Sequence, residues 1–303
     1  MSRTIALLGT ITHDFITSET GEETHGLGGI LYQAAVLCGM RHTTALFTNL
    51  GEELYPAVHN LTRDWINLDT RNLHPVPGPG HRVRLHYPSR GERREVLESA
   101  VPPLDPAKIV RHAAEMEFLV LALNSGLDMT LSGWRTVVRA SACPIWLDIH
   151  SLSLSQNLGS PRRYRPLPEW VEWAEGVDYI QANSAEAACM REAPGSHPGR
   201  SELDELARQA FEIGVKALII TLGREGVWIS TPRKTGLIPT HRAEIVADTT
   251  GCGDVFCAGT AARLCEGADL FTAAAYGVRL ATEAVGISGV AETYRLISNL
   301  STS

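Results

Sequence analysis

Short apolar runs alternate with stretches of helical period along nearly the whole chain. Residues 4–9 (TIALLG) predict a first strand that ends in polar residues, residues 29–40 (GILYQAAVLCGM) a helix, and residues 44–50 a second strand. Residues 118–123, 144–148 and 177–182 predict further strands, and residues 217–222 (ALIITL) form the continuous apolar run of a strand buried on both faces. Helical stretches lie between them at 54–67, 132–140, 168–175, 185–192 and 203–213. Strands alternating with helices predict an α/β fold with a mostly parallel sheet.

Two regions break this rhythm. Residues 11–27 are polar and rich in Gly and Thr. Residues 70–100 carry Pro75, Pro77, Gly78, Pro79 and Gly80, then an alternating run from His81 to Tyr87 and a strand-like piece at 94–98. Both fit extra β-structure inserted into the α/β order as a lid, and both fit ordinary surface hairpins; pattern alone does not choose. The organisation expected is one domain over residues 1–303 with lid inserts near 11–27 and 70–100.

Composition narrows the class. Of 303 residues, 44% are apolar and 20% charged, enough to bury a large core, which excludes a disordered chain. A net charge of −7 argues against nucleic-acid and anionic-membrane partners, so any anion must be held by a local site. The longest apolar run, residues 118–123, is far short of the roughly 18 residues of a membrane span. The apolar run after the N-terminus is too short for a signal peptide, and the six cysteines are scattered with no C-x-x-C pair. These features lead to the expectation of a cytoplasmic protein with cysteines as small buried hydrophobes.

The most informative segment is residues 247–263, ADTTGCGDVFCAGTAAR. A Gly-Cys-Gly turn leads directly into an Ala-rich helix, whose first N–H groups are unpaired and carry partial positive charge, a geometry that holds phosphoryl groups. Asp254 falls in the first turn, where it could accept a proton from an attacking hydroxyl. Asp248, outside the helix, could help hold a cation. Read alone, Asp248 or Asp254 is more readily a helix cap than a catalytic group. There is no G-x-x-x-x-G-K-[ST] P-loop, and no G-x-G-x-x-G follows the first strand, which disfavours a Rossmann oxidoreductase.

Residues 248–256, DTTGCGDVF, resemble the second signature of the ribokinase-like (PfkB) family of small-molecule kinases, usually D-T-x-G-A-G-D-x-F. The resemblance implies a three-layer α/β/α core with a small β-sheet lid. It implies Asp254 as catalytic base and the backbone of Gly251, Cys252 and Gly253, with the Asp254 amide, as the anion hole. Cys252 replaces the usual alanine, a small-for-small change. Asn183-Ser-Ala-Glu186 matches the family's N-x-x-E element, implying a nucleotide-site Asn183 and a Glu186 that positions Mg²⁺ through water; by itself it also reads as a capping box. Residues 221–226, TLGREG, resemble T-L-G-x-x-G, which places Thr221, Gly223 and Gly226 beside the nucleotide. Gly28, Gly29 and Gln33 resemble G-G-x-x-x-N, and Asp14 falls where the family binds sugar hydroxyls, so these four are expected to bind substrate. Asp248 is the candidate for a monovalent cation such as K⁺.

The implied activity is transfer of the ATP γ-phosphoryl group to a hydroxyl of a sugar or sugar derivative, with ATP and Mg²⁺ as cofactors. The alternatives are a nucleoside kinase of the same family, or a non-catalytic sugar- or nucleoside-binding sensor. The lid implies a homodimer. Residues 148–152 (DIHSL) and 51–56 (GEELYP) depart from the family's D-x-N-x-R and G-x-D-x-x-G, which leaves the acceptor open. Two arginine clusters, Arg90, Arg93 and Arg94, and Arg162, Arg163 and Arg165, read as solvated surface charge, with clamping of a phosphorylated or acidic substrate as the alternative.

Overall fold

The computed structural model describes residues 4–86, 94–241, 246 and 248–301; Tyr87, Arg90, Arg93 and Ala247 of the reading above lie outside them. The chain opens with β1 (Thr4–Leu8), β2 (Thr12–Thr17), β3 (Glu23–Leu27), α1 (Leu31–Gly39), β4 (Thr43–Gly51), α2 (Tyr55–Thr62), β5 (Leu68–Asp69) and β6 (Leu73–Val76). It continues through β7 (His81–His86), β8 (Arg94–Ser99), α3 (Pro106–Val110), β9 (Met116–Ala122), α4 (Leu131–Ala140), β10 (Ile145–Asp148) and α5 (Trp170–Ala174). The rest comprises β11 (Tyr179–Asn183), α6 (Ser184–Met190), α7 (Arg200–Glu212), β12 (Ala217–Thr221), β13 (Val227–Ser230) and β14 (Thr235–Ile238). Three helices close the chain: α8 (Cys252–Cys265), α9 (Leu270–Ala284) and α10 (Val290–Leu300).

The main sheet runs β14-β13-β12-β11-β10-β9-β1-β4-β5, with β6 also on β4. From β12 to β5 the pairs are parallel, and β13 and β14 add an antiparallel edge. Alternation along the strands feeds two cores: Ile5, Leu7, Ala217 and Ile219 face α1, α8, α9 and α10, while Ala6, Leu8, Leu218 and Ile220 face α4 to α7. Both faces are therefore covered, as a parallel sheet requires. Among the described residues no helix is long and apolar enough to cross a membrane.

A separate four-stranded sheet, β3-β2-β7-β8, carries the lid. Its strands are antiparallel except for the parallel β2–β7 pair. Residues 73–76 do not belong to it: β6 pairs with β4 of the main sheet. Pro75 has no N–H to donate, so this stretch suits an edge strand, and the lid's second part begins only at His81. The helix expected over 54–67 ends at Thr62, because the chain turns there to stack Trp65 on Tyr294 at 4.8 Å.

Candidate active site

The parallel strands end on one rim, and the polar residues that follow them converge there, as in other open α/β sheets. Asp148 closes β10, Asn183 closes β11 and Thr221 closes β12. A pocket of about 200 Å³ lies above them, lined by these three with Glu186, Gly251, Gly253 and Asp254 among others. A second cleft of about 670 Å³ adjoins it, sharing Thr221 and Gly253. Gly223, Gly226 and Cys252 line that cleft, with an apolar wall of Val227, Val246, Phe256, Val278, Ala281 and Val285.

Helix α8 points its N-terminus at the joint between the two. Gly251 at the N-cap has φ +78°, and the Gly251 and Gly253 amides have no hydrogen-bond partner among the described residues. The Cys252 amide differs from the sequence expectation, since it donates to the Thr249 carbonyl at 3.3 Å. Asp254 is buried in the first turn, and its Oδ1 has no hydrogen-bond partner among the described residues. Burial, then the nearby Glu186 and Asp14 carboxylates, pushes its carboxyl up to about 7.

Asn183 and Glu186 form a full capping box on α6: Glu186 N–H donates to Asn183 Oδ1 at 2.9 Å, and Asn183 N–H to Glu186 Oε2 at 2.8 Å. The cap and the pocket use the same residues, so capping holds the Glu186 carboxylate on the pocket wall. Asp248 accepts from Thr250 N–H at 2.8 Å and Ser288 Oγ at 3.0 Å, anchoring the turn into α8.

On the lid side, Asp14 lies over Gly28, where a Cβ would sit 2.2 Å from Asp14 Oδ2; a bare backbone is needed for that approach. Asp14, Asp248 and Asp254 all act on Tyr32, whose hydroxyl is pushed up first by burial and then by these charges. Gln33 is wholly buried with neither amide atom partnered among the described residues, and it lies outside the lining of both pockets. Gly29 joins Gly28 to α1, with φ +62°.

Several site residues were not singled out by sequence reasoning. Asp148 is buried and held well above the usual carboxylate range by burial, then by Glu186 and Asp254. Gln181 ties it to the α8 turn, its Nε2 donating to Asp148 Oδ2 at 3.3 Å and to the Gly253 carbonyl at 3.2 Å. A glutamine inside the apolar β11 was the available signal. His150, at φ +39°, also lines the pocket. Arg162 overturns the expectation of solvated charge: its side chain is 1% exposed and pairs with Glu95 at 3.0 Å. It further donates to the carbonyls of Ser125, Ser151 and Ser155.

A family model described as pfkB family carbohydrate kinase matches residues 138–295. The ribokinase of Bacillus subtilis is 38% identical over 127 residues, covering 42% of this chain and 38% of that protein. The matched stretches span only 19% to 38% of the lengths of such relatives. A structure of Arabidopsis thaliana ribokinase complexed with ribose and ATP superposes with a TM-score of 0.78 at 18% identity, covering 100% of both chains. A Burkholderia thailandensis nucleoside kinase in complex with inosine gives 0.73 at 20% identity, over 98% and 96%. At these identities the structural likeness speaks for the fold.

Proposed function

The chain belongs to the pfkB family of carbohydrate kinases, and from that premise we propose that it transfers the γ-phosphoryl group of ATP to a hydroxyl of a sugar or sugar derivative. The observation that carries this reading is the buried Oδ1 of Asp254 beside the Gly251 and Gly253 amides, all three without a partner among the described residues, where two pockets meet. The 670 Å³ cleft with its apolar wall suits a purine base, and its inner end reaches the α8 N-terminus where phosphates are favoured. The 200 Å³ pocket takes the acceptor.

In the step itself, Asp254 receives the acceptor's hydroxyl proton as that oxygen bonds to the γ-phosphorus. The bond from phosphorus to the β–γ bridging oxygen breaks, and ADP leaves with the electron pair. The Gly251 and Gly253 amides face the developing charge, a donor set typically worth about 10²–10³-fold per donor. The Cys252 amide, engaged with Thr249, orders the turn. Gln181 holds the Gly253 carbonyl and so orients the adjoining peptide.

Magnesium fits the residues present: Asp148, Glu186 and Asp254 put three buried carboxyls on one pocket. Magnesium keeps several waters and takes only one or two protein carboxylates beside the nucleotide phosphates. Glu186, through water, and Asn183 would hold it, and it would neutralise phosphate charge. A potassium ion at Asp248 would share oxygens already used by Thr250 and Ser288.

The test is an ATP-consumption screen over sugars, sugar derivatives and nucleosides, with Asp254→Asn as control. Turnover with one acceptor class and a loss of about 10²–10⁴-fold in the variant are expected. Full activity in the variant, or no acceptor above background, overturns the reading.

A further inference from the structure

The acceptor pocket does not end at its own walls. Glu95, Leu154 and Tyr164 line it and also line a basin of about 680 Å³, whose other walls are Arg94, Pro161, Arg162 and Arg163. One end of this continuous cleft is acidic, with Asp148, Glu186 and Asp254, and the other end is basic.

The charge of the basin comes from two of its three arginines. Arg162 is compensated by Glu95 and saturated by backbone carbonyls. Arg94 and Arg163 form no ion pair among the described residues, and both are solvent-accessible. Their relative placement is set by backbone pairing. The 154–164 segment closes on itself through the Leu154–Tyr164 bridge. It is laid along β8 by Gly159 N–H to the Leu97 carbonyl and Arg162 N–H to the Glu95 carbonyl, both 2.8 Å. Buried Arg162 locks the two together, and the antiparallel Val96–Pro161 bridge brings Arg94 and Arg163 next to each other on the wall of one preorganised concavity.

A neutral sugar leaves those two guanidinium groups without use. A phosphate or carboxylate matches them, since both accept the paired N–H groups of arginine. We propose that the acceptor is anionic, a sugar phosphate or sugar acid whose oxyanion sits between Arg94 and Arg163 while its free hydroxyl faces Asp254. This rests on the kinase reading of the pocket and names its substrate class. It also gives the lid a role in specificity, because Arg94 comes from β8.

Binding separates this from the kinase reading. Fructose 6-phosphate and gluconate are titrated by calorimetry against fructose and sorbitol at matched ionic strength, on the wild type and on Arg94→Ala, Arg163→Ala and the double variant. At least one anion is expected to bind more tightly than its neutral counterpart, with affinity falling about tenfold per arginine removed and falling with salt. Which anion binds identifies phosphate or carboxylate as the group recognised. A retained thermal shift with ATP·Mg²⁺ reports that each variant is folded. If neither anion outbinds its neutral counterpart, or if the double variant binds anions as the wild type does, the proposal is wrong. Phosphorylation of neutral acceptors alone overturns it and leaves the kinase intact. Anion binding without turnover on any acceptor overturns the kinase reading instead.

Discussion

The ring of Tyr32 closes against Gly251: a Cβ on that glycine would lie 2.6 Å from Tyr32 Cδ1. The contact joins α1, next to the Gly28–Gly29 turn, to the N-cap of α8, where the acidic and phosphate-facing parts of the site meet.

Gly251→Ala is therefore strained twice, by φ +78° and by the ring. The backbone alone costs about 1–2 kcal/mol, and a shifted turn misplaces an amide donor, so kcat is expected to fall about a hundredfold. Combining it with Tyr32→Ala should restore part of the stability loss. Strictly additive losses in that cycle would show that the ring is not the obstacle.

The raised carboxyl of Asp254 gives two opposite pH effects. As a base it works ionised, so kcat/KM should climb about tenfold per pH unit below about 7 and flatten above it. For stability the sign reverses. The folded state holds this proton from 3.8 up to about 7 while the unfolded chain has released it, so stability falls as pH rises through that window. The change is on the order of 4 kcal/mol. Asp254→Asn removes it, and its melting temperature should exceed that of the wild type by the largest margin above pH 7, with the gap narrowing toward pH 4. A constant gap would mean that another group titrates.

The Glu95–Arg162 pair ties lid strand β8 to the loops that follow β9 and β10. Arg162→Met removes the guanidinium facing Glu95 and the side-chain donor to the Ser125 and Ser155 carbonyls, which should lower stability by about 3–5 kcal/mol in urea unfolding. Glu95→Leu with Arg162→Met should recover much of that loss. Hydrogen exchange at the Gly159 and Arg162 amides should accelerate in the single variant, since both bonds lie beside the broken pair.

Cys252 borders the wide cleft, yet its thiol is pushed up to about 12 by burial, then by Asp248 and Asp254. Little thiolate exists at neutral pH, so iodoacetamide at pH 7.5 should leave Cys252 largely unmodified in the folded protein, as read by peptide mass spectrometry. Rapid alkylation there would contradict the acidic setting.

Much of the site was legible because it is local. The α8 turn from Asp248 to Asp254 and the Asn183–Glu186 cap each lie within seven residues, so spacing alone carries their geometry. The continuous apolar β1 and β12 runs likewise reveal strands, because a strand covered on both faces is apolar at nearly every position. Legibility failed where partners are distant. Gln181 meets the Gly253 carbonyl 72 positions away, and Arg162 meets Glu95 67 positions away, and nothing beside either residue indicates it. An arginine between Pro161 and Arg163 reads as surface charge until a carboxylate and three carbonyls close around it.

By itself, then, the sequence determined the α/β alternation, the glycine turn opening α8 and the acid in its first turn, since backbone propensity and short spacing act within a few residues. Tertiary structure decided which carboxyls share one buried pocket, how far the Asp254 carboxyl is raised, and which arginines are locked away or left facing a cavity. Those outcomes depend on desolvation and on charges brought together from separate elements, and only the folded chain sets either.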